Sequence, residues 1–139
     1  MPIPRVHVLA LGFGGLLHVL RPWRVYRGTR TRRSAGWLLV ATGAAVVGWA
    51  VRTAGAVDLS APDSLVTSGP YAYSRNPMYV AWHAMFLGLS LLANAVWLIL
   101  LFPAVLAVTH RAIRREEQHV ERRFRGEYRD YAAAVRRYP

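Results

Sequence analysis

Residues 68–79, SGPYAYSRNPMY, are the stretch that decides how this chain is organised. They form a polar, turn-rich segment between long apolar runs, and they include Gly69, Pro70 and Pro77. Glycine permits positive φ or close backbone approach, and proline fixes its own φ and pushes the preceding residue toward extended geometry. Because proline suits the first turn of a helix, a helix is predicted to begin at Pro77. An ordinary inter-helix loop would use the same residue types.

Two apolar runs precede this segment, which we call the 68–79 loop. Residues 6–20 (VHVLALGFGGLLHVL) and 35–51 (AGWLLVATGAAVVGWAV) predict membrane helices, although the first is shorter than the roughly 20 residues of a full crossing. Tryptophans near both ends of the second run are typical interface anchors. Small residues along it favour close helix contact: Gly36, Gly43 and Gly48. Residues 52–67 then form a polar connector.

The apolar segment after the loop predicts a helical hairpin. Residues 79–109 carry no formal charge and are interrupted by Asn94. As one helix they would measure about 45 Å, too long for a single untilted crossing. A turn at residues 93–95 solves this, and it places the 68–79 loop and residues 110–139 on the same side of the membrane. Residues 110–139 predict one or two amphipathic helices with a break at Gly126.

The predicted fold is therefore an all-α polytopic membrane protein. It has about four transmembrane helices, including the hairpin in the C-terminal half, and a C-terminal amphipathic helix. Residues 1–139 are expected to form one domain, with membrane helices and a connector in residues 1–65 and the functional half in residues 66–139.

Charge points to a membrane partner. The chain has a net charge of +11, with 18 arginines and no lysine, yet 54% of its residues are hydrophobic. The arginines cluster in residues 21–33 and 111–137, and the apolar runs between them favour anionic lipid over nucleic acid. The absence of cysteine excludes disulfides and thiolate chemistry, and no metal site is predicted. Both clusters should face the cytoplasm, but three intervening spans would place them on opposite sides.

Two adjacent glutamates differ in their helical phase. At 100° per residue, Glu117 falls within the apolar stripe of Ile113, Val120 and Phe124, whereas Glu116 lies at its edge. A carboxylate on an apolar face is costly without a partner. Glu117 is therefore expected to point inward, either to bind a ligand or to form an ion pair with an arginine such as Arg114 or Arg75.

Two stretches together resemble a known family: GPYAYSRNPMY at residues 69–79 and REEQHVERRFRGEYRDYAAAVRRYP at residues 115–139. This ordered set is similar to the membrane superfamily of isoprenylcysteine carboxyl methyltransferases and phospholipid methyltransferases, and it covers residues 66–139. The chain departs from the pattern at three places. Asn76 stands where many members have histidine, Arg125 and then Gly126 replace a glycine directly after the phenylalanine, and Val120 replaces a leucine.

The resemblance implies methyl transfer from S-adenosylmethionine to a lipophilic or membrane-associated acceptor: an isoprenylcysteine carboxylate, a phospholipid amine or a small thiol. It implies catalytic roles for Arg75, Asn76 and Glu117. The cofactor-binding residues that it implies are Gly69, Pro70, Tyr71, Arg75, Asn76, Pro77, Tyr79, Glu116 and Glu117. Arg75 would hold the cofactor carboxylate, a glutamate its ammonium or ribose, and Tyr71, Tyr79 and Phe124 its adenine or sulfonium.

The chain is expected in the bacterial inner membrane with its active site facing the cytoplasm, in contact with membrane lipids and not with nucleic acid; its oligomeric state stays open. Two other classes are a nicotinamide-dependent membrane reductase of the sterol-reductase type and a non-catalytic small membrane protein.

Overall fold

The structure is a computed structural model that describes residues 5–24, 28–55 and 64–139. All regular structure in these residues is helical. It comprises α1 (Arg5–Leu20), α2 (Thr29–Ala54), a 3₁₀ turn (Gly69–Ala72), α3 (Pro77–Ala93) and α4 (Val96–Ala134). Half of the predicted polar connector, residues 56–63, lies outside the described residues.

The predicted hairpin is formed by α3 and α4. Helix α3 begins at Pro77, as predicted, and it ends at Ala93; Asn94 caps it with a left-handed φ of 54°. The amide of Asn94 donates a hydrogen bond to Leu91 O, and that of Ala95 donates to Ser90 O, each at 3.1 Å. Asparagine tolerates this conformation better than most residues, so a two-residue connection suffices to reverse the chain.

The two arms of the hairpin run antiparallel and meet along their length. The rings of Phe86 and Phe102 stack with centroids 5.8 Å apart. A second contact lies nearer the 68–79 loop, about one turn along α3 and two turns along α4. There His83 Nε2 and Thr109 Oγ1 lie within hydrogen-bonding distance, at 2.9 Å. The 68–79 loop and the middle of α4 therefore meet at one end of the helix bundle.

Glycines set the closeness of α2 and α3. A Cβ added to Gly43 would lie 2.5 Å from Met85 Cγ, and one added to Gly88 would lie 2.7 Å from Gly36 O. The prediction of close contact is confirmed for Gly36 and Gly43. It is wrong for Gly48, which has open space where its Cβ would be, because that residue faces away from α3.

Helix α1 packs on α4, and the connections between helices alternate between the two ends of the bundle. Gly14 lies against Leu98. The carbonyl of Arg21 accepts a hydrogen bond from Trp97 Nε1 at 2.9 Å, and Arg32 donates to the carbonyls of Leu91 and Leu92. The described part of the 21–33 segment therefore lies at the end of the bundle opposite the 68–79 loop.

Two helices of the described residues, α2 and α4, are long and apolar enough to cross a membrane. Helices α1 and α3 are apolar but shorter, with 16 and 17 residues. This fits an integral membrane protein, and the prediction of four spans stays a prediction.

Helix α4 continues well beyond its apolar part and then folds back. Its only non-helical backbone angles are at Arg125, with φ 45° and ψ −108°, one residue before the predicted break at Gly126. Beyond this point the chain returns along α4, so that Arg129 pairs with Glu121 at 2.9 Å and Tyr138 Oη lies 2.8 Å from His110 Nδ1. We call residues 126–138 the C-terminal strap.

Candidate active site

A cavity of about 200 Å³ lies between the 68–79 loop, the start of α3 and the middle of α4. Among the described residues, four charged or amide side chains reach it: Arg75, Asn76, Glu116 and Glu117. Most of the remaining wall is aromatic and is formed by Tyr71, Tyr79, Trp82, Phe124, Tyr128 and Tyr131. Such a cavity combines an apolar wall with a few convergent polar groups, which is the usual composition of a small-molecule site.

Gly69 holds the loop against α2. Its φ is +59°, and a Cβ at this position would lie 2.5 Å from Thr53 Oγ1. Both the backbone conformation and the close approach therefore require glycine. Pro70 follows in the first turn of the 3₁₀ segment, where the amide of Tyr71 donates to Ser68 O at 3.1 Å. The loop thus carries Tyr71 and Arg75 to the cavity in a fixed arrangement.

Glu117 lies at the centre of the polar side of the cavity, and its side chain is 12% exposed. Its Oε1 accepts a hydrogen bond from Asn76 Nδ2 at 2.9 Å and lies 3.4 Å from Arg75 Nε, without hydrogen-bond geometry. Its Oε2 accepts from Arg137 Nε at 2.9 Å and lies 2.7 Å from Arg137 Nη2. This hydrogen bond raises the pKa of Arg137 further. The inward direction predicted for Glu117 is confirmed.

Glu116 has a different environment from its neighbour. It is exposed, and the one hydrogen bond that it accepts among those described comes from Tyr79 Oη, at 3.1 Å from Glu116 Oε2. Burial and, secondly, the charge of Glu116 raise the pKa of Tyr71, so the phenol of Tyr71 stays protonated at neutral pH. Glu116 therefore faces the cavity with one carboxylate oxygen free to bind a ligand.

The C-terminal strap holds the loop from the other side. The amide of Arg75 donates to Arg136 O at 3.0 Å, and Ser74 Oγ donates to Arg137 O at 2.9 Å. Tyr131 Oη donates to Tyr71 O at 2.6 Å. These bonds join segments about 60 residues apart in sequence, so helical periodicity gave no signal for them.

In the described part of the chain, two buried donors at the cavity have no hydrogen-bond partner, Arg75 Nε and Tyr128 Oη. Most buried polar groups in proteins are paired. Unpaired donors in the wall of a cavity therefore fit a site that binds a ligand with acceptor oxygens, such as a carboxylate or a hydroxyl group.

The structure brings six of the nine predicted cofactor-binding residues to the cavity wall: Tyr71, Arg75, Asn76, Tyr79, Glu116 and Glu117. It places Gly69, Pro70 and Pro77 behind the wall, where they shape the loop and the start of α3. It adds three aromatic residues that the sequence interpretation did not assign to the site, Trp82, Tyr128 and Tyr131. It also adds Arg137 through Glu117. The tyrosines and Arg137 lie in the motif at residues 115–139, which was the available signal.

Comparison with known proteins gives a family and one distant relative. A sequence profile of the phospholipid methyltransferase family matches residues 31–127. Over 68 residues the chain is 35% identical to the nickel-cobalt-cadmium resistance protein NccN of Alcaligenes xylosoxydans xylosoxydans. This match covers 49% of the chain and 32% of the relative, so the chain spans about a third of that protein's length. No solved structure matches significantly.

Proposed function

Because the chain belongs to the phospholipid methyltransferase family, we propose that it is an integral membrane enzyme that transfers a methyl group from S-adenosylmethionine to a lipophilic or membrane-bound acceptor. The observation that carries this proposal is the cavity of the 68–79 loop. There an arginine, an asparagine and two glutamates converge on one side of an aromatic wall.

The residues present fit S-adenosylmethionine, which supplies an electrophilic methyl group on a sulfonium. Aromatic faces attract cations, so Tyr71, Tyr79 and Phe124 suit the sulfonium and the adenine. The guanidinium of Arg75, which lies in the wall of the cavity, suits a carboxylate. The free oxygen of Glu116 suits an ammonium or a ribose hydroxyl.

In this proposal the chain contributes binding and alignment. Methyl transfer is a direct displacement, for which orientation of the two reacting groups supplies much of the rate enhancement. Arg75 and Asn76 bind and orient ligand groups, and Glu117 holds both in place through its contacts. The aromatic wall excludes water. Gly69, Pro70 and Pro77 keep the loop in the conformation that the site needs.

The acceptor class follows from the lining. Leu65, Val66, Met78 and Val120 line the cavity with the aromatic residues, which favours an acceptor with an apolar body. The candidate acceptors are an isoprenylcysteine carboxylate, a phospholipid amine and a small thiol.

We further propose that all four helices cross the bacterial inner membrane, with the short α1 and α3 accommodated by local thinning of the bilayer. The cavity faces the cytoplasm, where S-adenosylmethionine is made. The C-terminal strap lies at that membrane surface as the amphipathic segment.

Equilibrium binding to the purified full chain in detergent tests the cofactor. We expect binding of labelled S-adenosylmethionine and no binding of reduced nicotinamide cofactors. Binding of the nicotinamide alone would favour a reductase, and binding of neither would favour a non-catalytic membrane protein. Methyl-label transfer into a total lipid and metabolite extract would then identify the acceptor.

A further inference from the structure

A second cavity, of about 390 Å³, lies beyond the wall of the first one. Arg75, Glu117 and Tyr128 form the wall that the two cavities share. The second cavity is lined by four arginines and two glutamates: Arg75, Arg114, Arg129, Arg137, Glu117 and Glu121. Among the residues that the structure describes, its lining is therefore net positive and contains no aromatic residue other than Tyr128.

The two glutamates neutralise only part of the positive charge of this lining. Glu117 is engaged by Arg75 and Arg137, and Glu121 is engaged by Arg129 at 2.9 Å. Among the described residues, Arg114 has no carboxylate partner. An arginine-lined cavity with one unpaired guanidinium attracts an anion, because each guanidinium offers several N–H donors in a fixed plane.

Tyr128 provides an independent indication of a ligand. The residue is 7% exposed, and its hydroxyl is buried without a hydrogen-bond partner. A buried hydroxyl without a bond costs free energy. In the same wall, Arg75 Nε is also buried and has no hydrogen-bond partner among the described residues, although it lies 3.4 Å from Glu117 Oε1. Two unsatisfied donors of different kinds therefore border a cavity that is already positive.

We propose that this second cavity binds a phosphate group, which is either the phosphate of a membrane lipid or a free phosphate. A tetrahedral phosphate carries acceptor oxygens in several directions, so it can accept bonds from Arg114, from Arg75 and from the hydroxyl of Tyr128 together. The site lies next to the cavity of the proposed reaction, and phosphate binding does not depend on methyl transfer.

The first test is calorimetric titration of the full chain in non-ionic detergent with inorganic phosphate at constant ionic strength. Arg114→Gln combined with Arg129→Gln changes two arginines that line the second cavity and not the first. We expect this variant to lose phosphate affinity by at least about 10-fold, as expected for a lost charge-assisted bond. Arg111→Gln combined with Arg115→Gln is the matched control, since both are exposed on the same helix and line neither cavity.

The second test uses Tyr128→Phe. The hydroxyl has no hydrogen-bond partner among the described residues, so its removal should leave the thermal stability unchanged or higher. Phosphate affinity should fall by about five-fold, the usual effect of one neutral hydrogen bond. A purely structural hydroxyl would instead lower the stability and leave the phosphate affinity alone.

A competition experiment distinguishes the two sources of phosphate. In nanodiscs that contain phosphatidic acid, competition with inorganic phosphate would assign the site to a lipid headgroup. Unchanged phosphate affinity in those nanodiscs would assign it to a free phosphate. Absence of phosphate binding, or an equal loss in the Arg111 and Arg115 control, would overturn the proposal. S-adenosylmethionine binding is measured separately, so failure of one proposal is distinguishable from failure of the other.

Discussion

At the scale of single residues, the two adjacent glutamates differ in what holds them. Glu117 contacts Arg75, Asn76 and Arg137, whereas Glu116 contacts Tyr79. The helical wheel indicates which carboxylate points inward. It does not indicate that the inward one is already occupied by arginines, because those contacts come from the loop and from the strap.

This difference predicts separate effects on stability and binding. Glu117→Gln removes the charge that pairs Arg75 and Arg137, so we expect a loss of about 2 kcal/mol in stability together with at least about 10-fold weaker S-adenosylmethionine binding. Glu116→Gln should weaken binding by several-fold with no change in stability, because exposed charges contribute little to folding. Thermal unfolding and calorimetric titration of both variants measure the two effects. A loss of stability in Glu116→Gln alone would contradict the assignment.

Asn76 is predicted to orient its neighbours without exchanging a proton. Its side-chain amide donates to Glu117 Oε1, and its backbone N–H donates to Ser74 Oγ. Asn76→Asp would place a second carboxylate beside Glu117, whereas Asn76→His keeps an N–H donor. We therefore expect the aspartate variant to lose more activity than the histidine variant.

The pH profile gives a second readout for Asn76. An amide does not titrate, so the activity of the native protein should show no step near pH 6.5 that is assignable to Asn76. The Asn76→His variant should introduce such a step. Full activity in Asn76→Asp, or an existing step that disappears on substitution, would show that this residue has a different role.

At the scale of structural elements, the break in α4 carries backbone strain. Arg125 has positive φ with ψ −108°, which side chains disfavour by about 1 to 3 kcal/mol. Glycine adopts such angles readily. We expect Arg125→Gly to raise the stability by about 1 kcal/mol, as measured by thermal unfolding. Arg122→Gly, within regular helix three residues earlier, is the control and should lower it by about the same amount. Destabilisation by both variants would mean that the break is not strained.

The seam between α2 and α3 predicts a graded effect of alanine substitutions. At Gly88 the added Cβ would contact backbone atoms of α2 closer than 3.1 Å, so Gly88→Ala should cost about 1 to 3 kcal/mol. At Gly48, on α2, the added Cβ would lie in open space, so Gly48→Ala should leave the stability unchanged or raise it slightly. Equal effects in thermal unfolding would show that the seam is looser than the structure indicates.

The ends of α3 could be predicted from the sequence, whereas the path of the C-terminal strap could not. Pro77 and Asn94 mark the ends of α3 by local chemistry, so both were predictable. The break in α4 was predicted at Gly126 because glycine has the freest backbone, but the non-helical angles lie one residue earlier, at Arg125. The C-terminal strap could not be predicted in its return path. Its position rests on Arg137 pairing with Glu117 and on Tyr131 binding the loop carbonyl of Tyr71, and such distant contacts leave no periodic pattern.

At the scale of the whole molecule, the arginine clusters lie at opposite ends of the bundle. The described part of residues 21–33 lies beside the turn at Asn94, and residues 110–138 lie beside the 68–79 loop. The charge rule for membrane topology favours arginine on the cytoplasmic side, and both ends cannot satisfy it. We expect the end that carries the candidate site to face the cytoplasm, because nine arginines follow Thr109 and only six lie in residues 21–33.

Cysteine labelling tests this orientation directly, since the native chain has no cysteine. Ser34, Ser68 and Ala93 are all exposed, and Ala93 is preferable to Asn94 because the latter has the left-handed conformation that ends α3. In intact cells an impermeant thiol reagent should label Ser34→Cys and Ala93→Cys, and it should label Ser68→Cys only after the membrane is opened. Labelling of all three positions before opening would exclude the hairpin across the membrane. The reverse pattern would keep the hairpin but place the cavity outside, away from cytoplasmic S-adenosylmethionine.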